Sequence, residues 1–171
     1  MTRKLIIHNN YYINTLIHYS KSVFDISKIE TIKNRGWGSK PKGGLWTCPS
    51  NSRYSWKAYI DLCEMDLGSF MTTLRIPKAA RIYTVDSLAS LRDLWIKYPF
   101  KNNECDGHGN ALNWESIAKD FDVFHLTVEG LNSTHLPEIG INGMHDYIDM
   151  YGWDCETILI LNAKMVEVKT L

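Results

Sequence analysis

Apolar and polar positions switch between two periods along the chain, and the switches mark its elements. Residues 13–19 (INTLIHY) are β-branched and aromatic in character and predict a first strand, Ile13–Tyr19. A mixed stretch, Lys21 to Lys33, leads into a loop full of breakers, RGWGSKPKGG at residues 35–44. A short strand, Leu45–Cys48, leaves that loop and is stopped by Pro49. Ser55 has the character of an N-cap, and behind it Trp56, Tyr59, Ile60 and Cys63 recur at i, i+3, i+4 and i+7, one apolar helix face. Period two returns at Phe70, Thr72, Leu74 and Ile76, a strand ended by Pro77, and Arg81–Val85 forms another.

Asp86 or Ser87 caps a helix whose apolar positions are Leu88, Leu91, Leu94 and Trp95. Residues 101–113 are turn-rich, and Asn113 caps a short helix with Trp114, Ile117 and Ala118 on one side. Val123–Val128 reads as a strand, residues 129–146 as loop, and Tyr147–Trp153 as a short helix or turn. Thr157–Leu161 (TILIL) is a buried strand, and Met165–Val168 extends the sheet. Short strands outnumber helices, and the regular alternation of a doubly wound fold is missing. The expected class is α+β, with mixed, mostly antiparallel sheets and short helices, in one domain spanning 1–171.

Composition narrows the function classes. The chain is 171 residues long and 44% apolar, which supports a packed core and argues against disorder. Its 19 basic and 19 acidic side chains cancel, which excludes a wholesale polyanion binder. The cancellation hides a split: residues 1–60 hold ten Lys/Arg against two Asp/Glu, and residues 61–171 hold nine against 17. Such a split marks either a basic face for phosphate or two halves that fold together and pair their charges. The N-terminal apolar run, Leu5–Ile7, falls short of a signal h-region, and no stretch approaches a membrane span. Cys48, Cys63, Cys105 and Cys155 have no CxxC spacing, so reduced thiols and a cytoplasmic location are expected, with no membrane partner.

Familiar catalytic motifs are missing: there is no GxxxxGK[ST], HExxH, GxSxG or helix-opening GxGxxG. The glycine loop at 35–44 runs into a strand and so differs from a P-loop, whose phosphate sits on a helix N-terminus. Cys105, Asp106 and His108 read as a turn built on Gly107 and Gly109, and no metal is expected. His8, His125, His135 and His145 are scattered and carry no assigned role. Three segments stand out together: Leu16-Ile17-His18-Tyr19-Ser20, Gly43-Gly44-Leu45-Trp46-Thr47-Cys48, and Tyr151-Gly152-Trp153-Asp154-Cys155-Glu156.

In this order His18, the GLWT of Gly44–Thr47, and Glu156 ahead of the TILIL strand resemble the diphtheria-toxin-like branch of the ADP-ribosyltransferase fold. The layout over residues 16 to 165 also looks like a group of small bacterial and phage proteins. Those share HY[ST], a proline-led GLW segment followed by a Trp-containing helix, and a late GWDC. The first resemblance implies an ADP-ribosyltransferase-like split sandwich that binds NAD, as a substrate, in a cleft between two small sheets. It implies transfer of ADP-ribose to a protein or nucleic-acid acceptor, or plain NAD hydrolysis. The second carries little functional knowledge; were the protein phage-encoded, its place would be the host cytoplasm and its partner a host factor.

The chemistry gives each residue an expected role. The bond to nicotinamide breaks through an oxocarbenium-like state, which a carboxylate stabilises. Glu156 is the first choice and Asp154 the second; in an extended segment both would point to one face. His18 would bond a ribose hydroxyl, Tyr19 or Trp46 would stack on nicotinamide, and Thr47 would supply a hydroxyl. Arg35, Lys40 and Lys42 would meet the pyrophosphate. Three features depart from the family pattern: Cys48-Pro49 follows Thr47, Asp154 stands where arginine-directed members carry Glu or Gln, which leaves the target residue open, and the usual small acceptor loop is not identifiable. Two other readings compete: a non-catalytic binding protein on the same scaffold that inhibits or modulates a host factor, and a nucleic-acid module built on the basic N-terminal part with Trp37 and Trp46.

Overall fold

The computed structural model describes residues 15–35, 39–66, 68, 70–100, 111–135 and 148–168. Four strands begin the account: β1 (Leu16–Ser20), β2 (Leu45–Pro49), β3 (Phe70–Arg75) and β4 (Ile82–Val85). A small hairpin pairs β5 (Pro99–Phe100) with β6 (Ala111–Leu112), and β7 (Val123–Leu126), β8 (Thr157–Ile160) and β9 (Glu167–Val168) complete the set. Seven of these form one curled sheet in the order β4-β7-β8-β2-β1-β3-β9. Every neighbouring pair is antiparallel except β4 and β7. The α+β class with a mostly antiparallel sheet is therefore what the chain adopts.

The two faces of the sheet bury different side chains, as period two requires. Leu16, Leu45, Leu74, Val123, Ile158 and Ile160 pack on one face, with Phe24 and Ile29 laid over them. The other face carries Phe124, Leu126 and Leu159 against the helices α2 (Leu88–Lys97), α3 (Trp114–Asp120) and α4 (Val128–Thr134). Trp114 and Trp153 lie at the centre of that layer, their rings 5.9 Å apart and stacked. Leu91 and Leu94 of α2, and Trp114 and Ile117 of α3, bury the faces the spacing predicts.

Caps start the helices where expected. Ser87 accepts from the Ser90 amide in a capping box, Ser55 from the Ala58 amide of α1 (Trp56–Leu62), and Asn113 from the Ser116 amide. Three expectations need correction. Residues 129–146 do not begin as loop: Thr127 ends the strand at Leu126 and caps α4, accepting from the Gly130 amide. The described part of Tyr147–Trp153 holds a turn at Tyr151–Gly152 and no helix. The apolar face of α1 is not core: only Ile60 is buried, Cys63 is exposed and Trp56 is half-buried. Residues 13–14, Trp37 and the Cys105-Asp106-Gly107-His108 turn lie outside the described residues.

The parallel pair β4–β7 places two strand-to-helix turns side by side. Thr127 donates its amide to the Val85 carbonyl at 3.0 Å, so α4 starts directly against the end of β4. Gly130 makes that approach possible, because a Cβ there would stand 2.0 Å from the Val85 oxygen. No helix among the described residues is long and apolar enough to cross a membrane.

Candidate functional site: an aromatic cleft in the fork between β1 and β2

The β1–β2 ladder is short. Leu16 pairs with Pro49 and Ile17 with Cys48, and there it ends, while β1 goes on pairing with β3 as far as Ser20. Beyond Ile17 the two strands part, and His18 bridges them: its Nδ1 lies 2.8 Å from the Trp46 carbonyl. A carbonyl only accepts, so Nδ1 carries the hydrogen, and the Nε2 of the neutral ring is left as an acceptor. The ring is held edge-on to Phe24 at 5.4 Å.

A cleft of about 250 Å³ opens in this fork. His18 and Tyr19 line it from β1, Trp46 and Thr47 from β2, and Trp56 from the first turn of α1. Trp153, Asp154, Cys155 and Thr157 close it from the segment entering β8, and Lys40 from the glycine loop. Its volume is below the roughly 300–1,000 Å³ of pockets that enclose a whole drug-sized ligand. The Trp46 ring is backed by that of buried Trp153, the centroids 4.9 Å apart and the planes tilted by 43°.

Among the described residues, charge in the cleft comes from one ion pair. Lys40 Nζ lies 3.7 Å from Asp154 Oδ2 and 5.7 Å over the Trp46 ring. The basic loop is pinned here by Ser39, which is buried. Its hydroxyl donates to the Tyr151 carbonyl and accepts from Trp153 Nε1, while its carbonyl accepts from Trp114 Nε1. Burial pushes the Cys155 thiol up to about 11, so this sulfur at the cleft edge stays protonated at neutral pH. Cys48, behind it, is raised for the same reason.

Six of the nine residues singled out from the sequence thus line one cleft: His18, Tyr19, Lys40, Trp46, Thr47 and Asp154. Glu156, Arg35 and Lys42 do not line it. The expectation that Asp154 and Glu156 share a face fails at a bend at Cys155. The Glu156 amide donates to the Tyr54 carbonyl, which ties the segment to the loop before α1, and the Glu156 carboxylate turns to His125 on β7, Oε1 to Nε2 2.9 Å. Burial alone would raise this carboxyl, but hydrogen bonds from His125 and Ser52 outweigh it and hold it below the ordinary glutamate value. Lys42 pairs its backbone with Lys33 in both directions, with its side chain exposed.

Sequence reasoning passed over Trp56, Trp153, Ser39 and His125. Trp153 and Ser39 sit in segments the reading did single out, but nothing in one dimension tells that an indole and a hydroxyl 114 residues apart are hydrogen-bonded. Among the described residues no group of three His, Cys, Asp or Glu side chains is arranged to hold a metal ion. Compared with known proteins, the chain matches no family model, no curated protein and no solved structure.

Proposed function

We propose that this cleft binds the nicotinamide–ribose end of NAD and that the protein is an ADP-ribosyltransferase, or an NAD glycohydrolase, on an ADP-ribosyltransferase-like split sandwich. One observation carries the reading. A His on the first strand, the GLWT of the second and an acidic residue before a late strand come from distant parts of the sequence, yet converge on one fork. Trp46 and Tyr19 offer faces to the nicotinamide ring. His18 Nε2 accepts a hydrogen bond from a ribose hydroxyl, its other nitrogen being fixed by Trp46. Asp154 is the carboxylate in the cleft, so it takes the electrostatic role for which Glu156 was the first choice. Glu156 holds the segment from behind through His125 and Tyr54.

In the reaction the bond between ribose C1′ and the nicotinamide nitrogen breaks, and neutral nicotinamide leaves with the electron pair. The positive charge on the sugar is stabilised by Asp154 until water or an acceptor atom bonds C1′ and gives up a proton. The test is nicotinamide release from NAD by the purified protein, with NAD binding followed by calorimetry. Asp154→Asn lowers release about 10²–10³-fold, the usual cost of losing one electrostatic stabiliser, and keeps binding. Release lost in Glu156→Gln but kept in Asp154→Asn would return the role to Glu156. Neither binding nor release by the unaltered protein would overturn the proposal and favour a non-catalytic binding protein.

A further inference from the structure

Sequence reasoning expects Lys40 at a pyrophosphate, yet its ammonium stands inside the cleft. Nζ lies 5.7 Å over the Trp46 ring, within cation–π range, and 3.7 Å from Asp154 Oδ2. Without that ammonium the lining among the described residues is negative, because Asp154 is its other charged side chain. The backbone around Lys40 is fixed on both sides. Ser39 makes three hydrogen bonds, Pro41 is buried, and Lys42 exchanges two backbone hydrogen bonds with Lys33. The four-carbon side chain is the part left to move. At 3.7 Å the ion pair is longer than the roughly 2.7–2.9 Å of a charge-assisted hydrogen bond, and both side chains are about one-third exposed, so the pair opens at small cost.

We propose that Lys40 is a built-in occupant of the nicotinamide subsite, a tethered cation that any ring reaching the Trp46 face must displace; the proposal rests on the NAD reading above. Such a site selects for charge. A neutral ring that pushes Lys40 aside forfeits the cation–π contact and the ion pair and returns only stacking. A ring with a quaternary nitrogen, such as the oxidised nicotinamide of NAD, restores both, on the Trp46 face and beside Asp154. An ammonium fixed to the chain competes at high effective concentration, which keeps weakly bound neutral compounds out. Its displacement also parts Asp154 from its counter-charge as the sugar arrives, so the carboxylate is left to face the sugar carbon.

The experiment uses 1-methylnicotinamide, a pyridinium cation without phosphates, beside neutral nicotinamide. Titrations are read from the indole N–H resonance of Trp46, which donates to the Gly43 carbonyl at 3.2 Å. The unaltered protein binds the cation at least tenfold more tightly than nicotinamide. Lys40→Ala tightens the cation about fivefold or more, the combined worth of a partly exposed ion pair and a cation–π contact. A structural lysine, or one that serves only a pyrophosphate, gives no tightening. A second readout needs no variant. With 1-methylnicotinamide bound, acetic anhydride modifies Lys40 about threefold faster, as a one-third exposed side chain becomes fully exposed, while exposed Lys28 is unchanged; peptide mass spectrometry reads both.

No binding of the cation, equal binding of the two rings, unchanged or weaker binding by a folded Lys40→Ala, or Lys40 acetylation that does not rise overturns the occupant role, even if nicotinamide is released from NAD. Should Lys40→Ala not fold, the ring preference and the acetylation of the unaltered protein decide. A cation that displaces Lys40 in a protein that neither binds NAD nor releases nicotinamide from it overturns instead the NAD reading, and leaves the cleft a site for another quaternary ring cation.

Discussion

Ser39 joins the glycine loop to the cleft through three hydrogen bonds, to Tyr151, Trp153 and Trp114. Ser39→Ala leaves the buried Trp153 indole N–H without its partner. It is expected to cost about 1–3 kcal/mol in denaturant unfolding, with a shift in the tryptophan emission that reports the loosened cleft wall. Asp122 makes a comparable clasp at the far side of the sheet. Arg81 donates to it from its backbone amide, Nε and Nη2, and these bonds hold the Asp122 carboxyl below the ordinary aspartate value. A lowered carboxyl contributes stability above its unfolded value of about 3.9, and that contribution is lost as pH falls through the lower folded value. Asp122→Asn therefore lowers the melting temperature at pH 7 by about 2–4 °C, for about 1 kcal/mol, since Arg81 is half exposed. The gap closes as pH falls through the lowered folded value. The raised thiols give a third expectation: among Cys48, Cys63 and Cys155, iodoacetamide at pH 8 modifies the exposed Cys63 first, and the other two only after unfolding.

At the scale of elements, the start of α4 is the sharpest constraint. Gly130→Ala drives a methyl into the Val85 carbonyl and is expected to cost about 1–3 kcal/mol, or to detach α4 from β4. Gly152→Ala is the control: its φ is +84° with nothing within 4 Å, so only the left-handed backbone is penalised, by about 1–2 kcal/mol. A thermal melt of each variant checks both. Trp56 and Trp153 separate a cleft wall from a core. Trp153→Ala, fully buried, costs about 3–5 kcal/mol, whereas half-buried Trp56→Ala costs less than half of that.

These cases show what was legible in the sequence. The continuous apolar run TILIL, the alternation of FMTTLRI and the side-chain caps at Ser55 and Asn113 were read correctly, because all are local physics, while the choice between Asp86 and Ser87 was left for the structure to make. The α4 helix was overlooked although Thr127-Val-Glu-Gly carries a cap and an acidic first turn, because the apolar run from Val123 reads through it. Trp56 was misplaced because helical spacing shows that a face is apolar, not what covers it. Glu156 and Asp154 were put on one face because extended spacing was assumed across a bend that a long-range bond to Tyr54 holds. The parallel register of β4 and β7 has no local signal at all.

Taken as a whole, the charge split of the sequence does not divide the molecule. The basic half supplies β1 and β2, and the acidic half lays β3 on one side of them and β8 on the other. Pairs such as Lys21–Asp66 and Lys40–Asp154 join the halves. Affinity for nucleic acid should accordingly be weak at physiological salt, and a filter-binding assay against duplex DNA checks it. The fork between β1 and β2 reaches further. Within the one curled sheet, β4-β7-β8-β2 is joined to β1-β3-β9 along a seam of two residue pairs and one imidazole. Whatever occupies the fork touches cloth on both sides of that seam. Ligand at a hundred times its dissociation constant would then add about 2.7 kcal/mol to the stability of the whole fold, and slow amide exchange most along the stitching itself.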